Sequence, residues 1–204
     1  MRRKYGMLYL ALGTVLIIGA LSLFLSNQHQ ATRAEQHVAA VLPELHREIQ
    51  NRGAANAAEY MQPLAPKTQS GAMAEVVIDG YGYIGCLSIP VLGLELPVMA
   101  DWDDTRLSIA PCCYAGSIAG DDLVIMAHNY PGQFSRLSEL TAGDCVIFTD
   151  ADGVARQYRV TETVVLAPQD VEEINSGKFA LTLFTCTYGG QNRIAVHCDR
   201  FSGA

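Results

Sequence analysis

Positive charge is scarce in this chain: 14 Lys and Arg stand against 21 Asp and Glu in 204 residues, a net charge of -7. It has no basic stripe and no interleaving of basic with aromatic residues, which excludes a nucleic-acid binder built on phosphate neutralisation. A C-x-x-C pair, an EF-hand pattern and any internal repeat are also missing. The first two absences remove the familiar zinc and calcium motifs, and no metal or cofactor is expected. Acidic groups at Asp101 to Asp104, Asp121 with Asp122, and Glu172 with Glu173 leave a calcium site open, but a solvated acidic rim is the preferred reading. The six cysteines are not spaced as a disulfide framework: Cys112 and Cys113 are neighbours, and Cys86, Cys145, Cys186 and Cys198 are scattered through apolar runs. Cys86, Cys145 and Cys198 read as core residues, whereas Cys112 and Cys113 have no assigned role. If one of the six is a working nucleophile, five remain, and an odd number cannot all pair within the chain.

Charge is absent altogether from Tyr5 to Leu25, YGMLYLALGTVLIIGALSLFL. At about 1.5 Å per residue this run spans the roughly 30 Å hydrocarbon core of a bilayer. Arg2, Arg3 and Lys4 precede it, and the first charges after it are Arg33 and Glu35, so the positive-inside rule keeps the N-terminus cytoplasmic and exports the rest. A cleaved signal peptide is the competing reading. The run is longer than a usual signal core, and no small-x-small cleavage site closely follows it.

Beyond the span, TRAE at Thr32 to Glu35 has the form of a capping box, and Val38, Val41, Leu42, Leu45 and Ile49 recur at helical spacing. An amphipathic helix is expected from about Thr32 to Arg52, with Pro43 kinking or restarting it and Gly53 capping it. Its apolar stripe packs on the domain or on a neighbouring chain. Ala54 to Ala74 reads as a linker broken by Pro63 and Pro66. The expected divisions are therefore 1–26 for the cytoplasmic tip and anchor, 27–75 for a helical stalk and linker, and 76–204 for the main domain.

That domain is mainly β. YIGCLSIP, LELPVM, DLVIMAH, CVIFTDADGVARQYRV, TVVLAP, ALTLFTC and RIAVHCD give about seven or eight short strands, which implies an antiparallel sandwich or barrel. APQDVEEI allows only a short helical turn between them.

Chemistry is concentrated in one hairpin. If Cys186 and Arg193 are the paired residues on either side of the loop TYGGQN, their Cβ atoms lie about 5 Å apart on one face. A guanidinium there raises the thiolate fraction and can stabilise the oxyanion formed when sulfur attacks a carbonyl. A histidine must then protonate the departing amine. His197 would oppose Thr182 in that register, about 13 Å along the strand from Cys186, which is too far. His128, closing the strand LVIMAH, is the better candidate. An unperturbed thiol and imidazole are both mostly neutral at pH 7, so a slow enzyme is expected.

These motifs resemble those of sortases. TLFTC looks like their TLxTC signature with Cys186 as nucleophile, IMAHNY their histidine strand with His128, and Arg193 stands where the family keeps its arginine. GCLSIPVLGLELPV resembles their first hairpin. The resemblance covers Val76 to Phe201. It implies an eight-stranded sortase-type β-barrel with short helices behind an N-terminal transmembrane helix, on the outer face of a Gram-positive membrane. The implied reaction is cleavage of the Thr-Gly bond of an LPxTG-like signal on a secreted protein, through a thioester, and transfer to an amine of peptidoglycan or of a pilin lysine. Thr185 would shape the oxyanion site as a substrate-binding residue. CTYGGQNR looks like class B or class D relatives. Without an Asp-Pro-aromatic lid motif before the barrel, or a second apolar helix before Ala204, wall anchoring is preferred over pilus polymerisation. A membrane-tethered barrel that only binds peptide, and a plain cysteine peptidase, are the alternatives.

Overall fold

A computed structural model describes residues 2–60 and 73–201. A single helix, α1 (Arg2–Tyr60), opens the chain. At 1.5 Å per residue it is about 90 Å long. Its first part exposes Leu10, Val15, Leu16, Ile17 and Leu23, and it is the one helix among the described residues long and apolar enough to cross a membrane.

Two expectations about this region are corrected. The helix continues through Pro43 without restarting, because that proline lies on the exposed side while Val41, Leu45 and Ile49 are buried on the other. The lost backbone bond therefore faces water, and packing on both sides of the proline outweighs its cost of about 3 kcal/mol. Nor does Gly53 end the helix. A Cβ at Gly53 would lie 3.6 Å from Asp152 O and Gly153 Cα, so glycine there lets the helix pass close to a hairpin turn. The first part of the expected linker, residues 54–60, is helical, and residues 61–72 lie outside the described residues.

The strands are β1 (Val76–Ile78), β2 (Tyr81–Ile89), β3 (Leu94–Met99), β4 (Cys112–Ala115), β5 (Leu123–Met126), β6 (Cys145–Asp150), β7 (Ala155–Leu166), β8 (Leu181–Cys186) and β9 (Arg193–Arg200). The short helices α2 (Asp104–Leu107) and α3 (Val171–Ile174) lie in connections. Strand order is β1-β2-β3-β4-β5-β8-β9-β7-β6, and pairing of β2 with β6 closes β2 to β9 into an eight-stranded barrel. β1 extends the sheet beside the start of β2.

The barrel is not wholly antiparallel as expected: β3 pairs β4 in parallel, and β5 pairs β8 in parallel. The second pairing requires the chain to leave β5, build β6 and β7, and return through α3. Inward residues alternate along each strand, with Leu123 and Ile125 meeting Leu181, Leu183, Val196 and Cys198 in the barrel core. The outward residues Val124, Phe184 and Ala195 form a separate apolar patch with Leu166 and Ile174, bordered by Tyr114, Met126 and Val164.

The α1 stripe seals the opposite side. Val41, Leu45 and Ile49 join Val76, Ile78, Tyr83, Cys86 and Met99 in one cluster, and Val38 reaches the barrel core. The expected packing of this stripe on the domain is what the structure shows. Burial of such side chains contributes roughly 1.5–3 kcal/mol each. Leu45→Ala should therefore lower the unfolding free energy of the detergent-solubilised chain by about 2–5 kcal/mol. Urea unfolding followed by tryptophan fluorescence measures this; an unchanged midpoint would mean that α1 does not share the barrel's core.

Candidate active site

Six thiols compete for any cysteine chemistry, and all six are free. Burial pushes Cys86, Cys112 and Cys198 up to about 12 and Cys113 up to about 11. A thiol so shifted yields almost no thiolate at neutral pH. Cys86 and Cys198 are core residues as expected, whereas Cys145 is only half-buried. Cys145 sits opposite Arg159, but its neighbouring strands β2 and β7 carry no histidine. Cys186, also half-buried, ends β8.

The register on either side of Cys186 decides its surroundings. On one flank Cys186 pairs with Arg193 and Thr182 with His197, the alignment read from the sequence. On the other flank, Leu123 pairs with Leu181 and Met126 with Phe184. The Ala127 amide donates to Phe184 O at 3.2 Å, and the Thr185 hydroxyl donates to Ala127 O at 2.8 Å. Extending that register by two residues sets His128 beside Cys186, with adjacent strands about 4.8 Å apart. His128, Cys186 and Arg193 thus stand at one end of three adjacent strands, on the outward face.

Thr185 precedes Cys186 on β8. It is 1% exposed, points inward by strand alternation, and its hydroxyl proton goes to Ala127. Its effect on the site runs through the tie between β8 and the histidine strand. The competing residues fall away from Cys186. His197 is 1% exposed, hydrogen-bonds the Thr182 hydroxyl at 3.2 Å and stacks on Phe179. Arg200, at the far end of β9, pairs with Asp121 at 2.6 Å.

Arg193 donates from Nη1 to Gly190 O and Asn192 O at 3.2 and 3.1 Å, which fixes the guanidinium at the loop. The loop closes on itself through Thr187 N to Asn192 O at 2.9 Å and Asn192 N to the Thr187 hydroxyl at 3.0 Å. Gly189 and Gly190 take φ of 86° and 74°, a left-handed pair that few other residues tolerate.

Asp103, Asp121 and Asp122 have structural partners. Asp103 caps α2 by accepting from Arg106 N at 2.7 Å, and Asp122 accepts from Ser117 N at 2.8 Å. Among the described residues no three His, Cys, Asp or Glu side chains gather as metal ligands.

The comparisons bear on the family and the fold. The sortase-domain family model matches residues 87–201. The chain belongs to the sortase family. Solved structures similar to it include sortase C1 from Streptococcus suis, 26% identical over 60% of this chain and 74% of that one, with a TM-score of 0.50. Sortase C from Streptococcus pneumoniae is 22% identical over 80% and 97% of the two chains, with a TM-score of 0.57. A lid mutant of sortase A from Corynebacterium diphtheriae is 19% identical over 81% and 96%, with a TM-score of 0.53. None of the curated proteins matches.

Three neighbours of the site in this sortase carried no sequence signal. Gln133, 1% exposed, accepts from His128 N through Oε1 at 3.2 Å and donates to Ile109 O at 3.3 Å. Tyr130 stacks on the His128 ring with centroids 4.8 Å apart. Trp102, in the DWDD stretch, packs on Tyr114, which meets Phe184 edge-on, two residues before Cys186. The position of Trp102 between β3 and α2 is a tertiary matter.

Burial holds the His128 imidazole below its ordinary range, opposed by the negative charge of Asp104. His37 and His197 are lowered for the same first reason, burial. In each case the unfolded chain binds the proton more readily than the folded one. Stability present above the unfolded histidine value of about 6.5 is therefore lost as pH falls through it toward the lower folded values. Urea midpoints measured from pH 8 to pH 5 should drop below about 6.5, and a midpoint that rises in this window would contradict the burial of these rings.

Proposed function

We propose that this sortase cleaves the Thr-Gly bond of an LPxTG-like signal through a thioester on Cys186 and passes the secreted protein to an amine of the cell wall. The observation that carries this reading is the register that sets Cys186 between His128 and Arg193. In the first half, Cys186 Sγ attacks the threonine carbonyl carbon, the C–S bond forms, and the C–N bond to glycine breaks. His128 gives its proton to the leaving amine. In the second half, the neutral imidazole takes a proton from the incoming amine as its nitrogen attacks the thioester, the C–S bond breaks, and the Cys186 thiolate leaves beside the regenerated imidazolium.

Arg193 stabilises the oxyanion of both tetrahedral intermediates. Nη1 is held by loop carbonyls, and Nε and Nη2 have no protein partner among the described residues. Because burial favours the neutral form of His128, the protonated histidine needed for the first step is a minor species at pH 7. Slow turnover follows.

The uncharged start of α1 would hold the enzyme in the membrane through residues 5–25, with the N-terminus cytoplasmic and the barrel outside. The acceptor is the amine of a peptidoglycan cross-bridge. A pilin lysine is the competing acceptor, since pilin substrate specificity is named for the Streptococcus pneumoniae sortase C.

The full chain in detergent micelles, given LPxTG-like peptides with either an oligoglycine or a lysine amine, should yield a peptide-amine product by mass spectrometry. Cys186→Ala should abolish it, and Arg193→Ala should lower kcat about 10²- to 10³-fold. Hydrolysis without an amine adduct would indicate a peptidase, and no thioester with a free Cys186 thiol would indicate a peptide-binding barrel.

A further inference from the structure

The loop after β5, His128 to Ser135, has no strand partner to fix it, and Pro131 and Gly132 preclude a regular ladder. Its backbone is held at His128, where the amide meets Gln133 Oε1 at 3.2 Å and the carbonyl accepts from Phe134 N at 3.2 Å. The imidazole itself is held by the Tyr130 ring, tilted 30° against it.

What fixes Tyr130 lies on α1. Its hydroxyl donates to Gln30 Oε1 at 3.2 Å, a contact between residues 100 apart in sequence. One turn further on, Ala34 is 2% exposed, and a Cβ at Gly132 would meet the Glu35 side chain at 3.6 to 3.8 Å. Gln30 is only five residues past Leu25, about 7.5 Å along the helix from the end of the uncharged run. The helix that leaves the apolar segment is therefore in contact with the histidine loop almost at once.

We propose that the Gln30–Tyr130 contact makes the first turns of α1 beyond its apolar segment a brace for His128, with Tyr130 as the positioning residue that carries the placement of α1 to the imidazole. This inference rests on the assignment of His128 as the proton donor. The brace keeps the ring dry and in line with Cys186, and a barrel freed of α1 has a looser, wetter histidine. Asp104 is the charge that bears on His128, Cys186 and Arg193 come to the same edge by the strand registers, and Glu35 of α1 lies against Gly132 of the histidine loop.

The test uses the full chain in lipid nanodiscs with Gln30→Leu, Tyr130→Phe and the double variant. Gln30 is exposed and Tyr130→Phe keeps the ring, so each variant should fold. The titration of His128 is read by NMR of imidazole-labelled protein, with the resonance assigned from a His128→Gln variant. Each single variant should raise the His128 titration midpoint and cut kcat about tenfold with little change in KM, as a misaligned proton donor does. The double variant should be no worse than either single one, because both break one contact. An unmoved His128 titration, or additive losses, would overturn the brace. A wild type inactive on every peptide, whose His128 titration still moves with Gln30→Leu, would support the brace and count against the transpeptidase reading instead.

Discussion

The parallel pairing of β5 with β8 is the constraint on which the candidate site depends. Two parallel strands end at the same edge of a sheet, so the residues that follow them, His128 and Cys186, emerge together. An antiparallel neighbour starts where its partner ends, so β9 brings Arg193 to the same edge from the other side. A hairpin and a strand distant in sequence thus deliver a thiol, a guanidinium and an imidazole to one edge of the sheet. A slip of one residue between β5 and β8 would turn His128 into the barrel.

Alternation along β8 then separates structure from chemistry. Leu181, Leu183 and Thr185 face inward, and the Thr185 hydroxyl ties β8 to the histidine strand at the point where the backbone ladder ends. Thr182, Phe184 and Cys186 face outward. The same division sorts the cysteines: those in the core are raised far above neutral pH by burial and are chemically quiet, and Cys186 is left accessible at the strand end. The α1 stripe closes the far side of the barrel while its first turns beyond the apolar run reach the histidine loop, so one helix serves both the core and the site.

The parts of this arrangement that depend on local pairing were legible in the sequence. The Cys186–Arg193 register could be read because a six-residue loop with two glycines admits few hairpins, and the placement of His197 opposite Thr182 followed from it. The β-rich domain and the apolar stripe of α1 were legible from periodicity, and the choice of barrel over sandwich came from the resemblance of the motifs. The parallel β5–β8 pairing was not, since a crossover of more than fifty residues leaves no local trace. The continuity of α1 through Pro43 and Gly53 was hidden because propensity marks both as breaks, whereas exposure of the proline and close approach at the glycine make them harmless. Gln133 and Tyr130 were missed because nothing in HNYPGQ shows that an amide will be buried against a backbone or that a phenol will meet a helix 100 residues away.

The central claim, that β5 and β8 end together with His128 beside Cys186, is tested most directly by disulfide trapping. A bond forms only between cysteines whose Cα atoms lie within about 7 Å. In the full chain carrying His128→Cys, mild oxidation should give a crosslink between positions 128 and 186, identified by peptide mass mapping, while His197→Cys should give none to Cys186. A thiol at 128 that stays free, or pairs with another cysteine in preference to Cys186, would contradict the account.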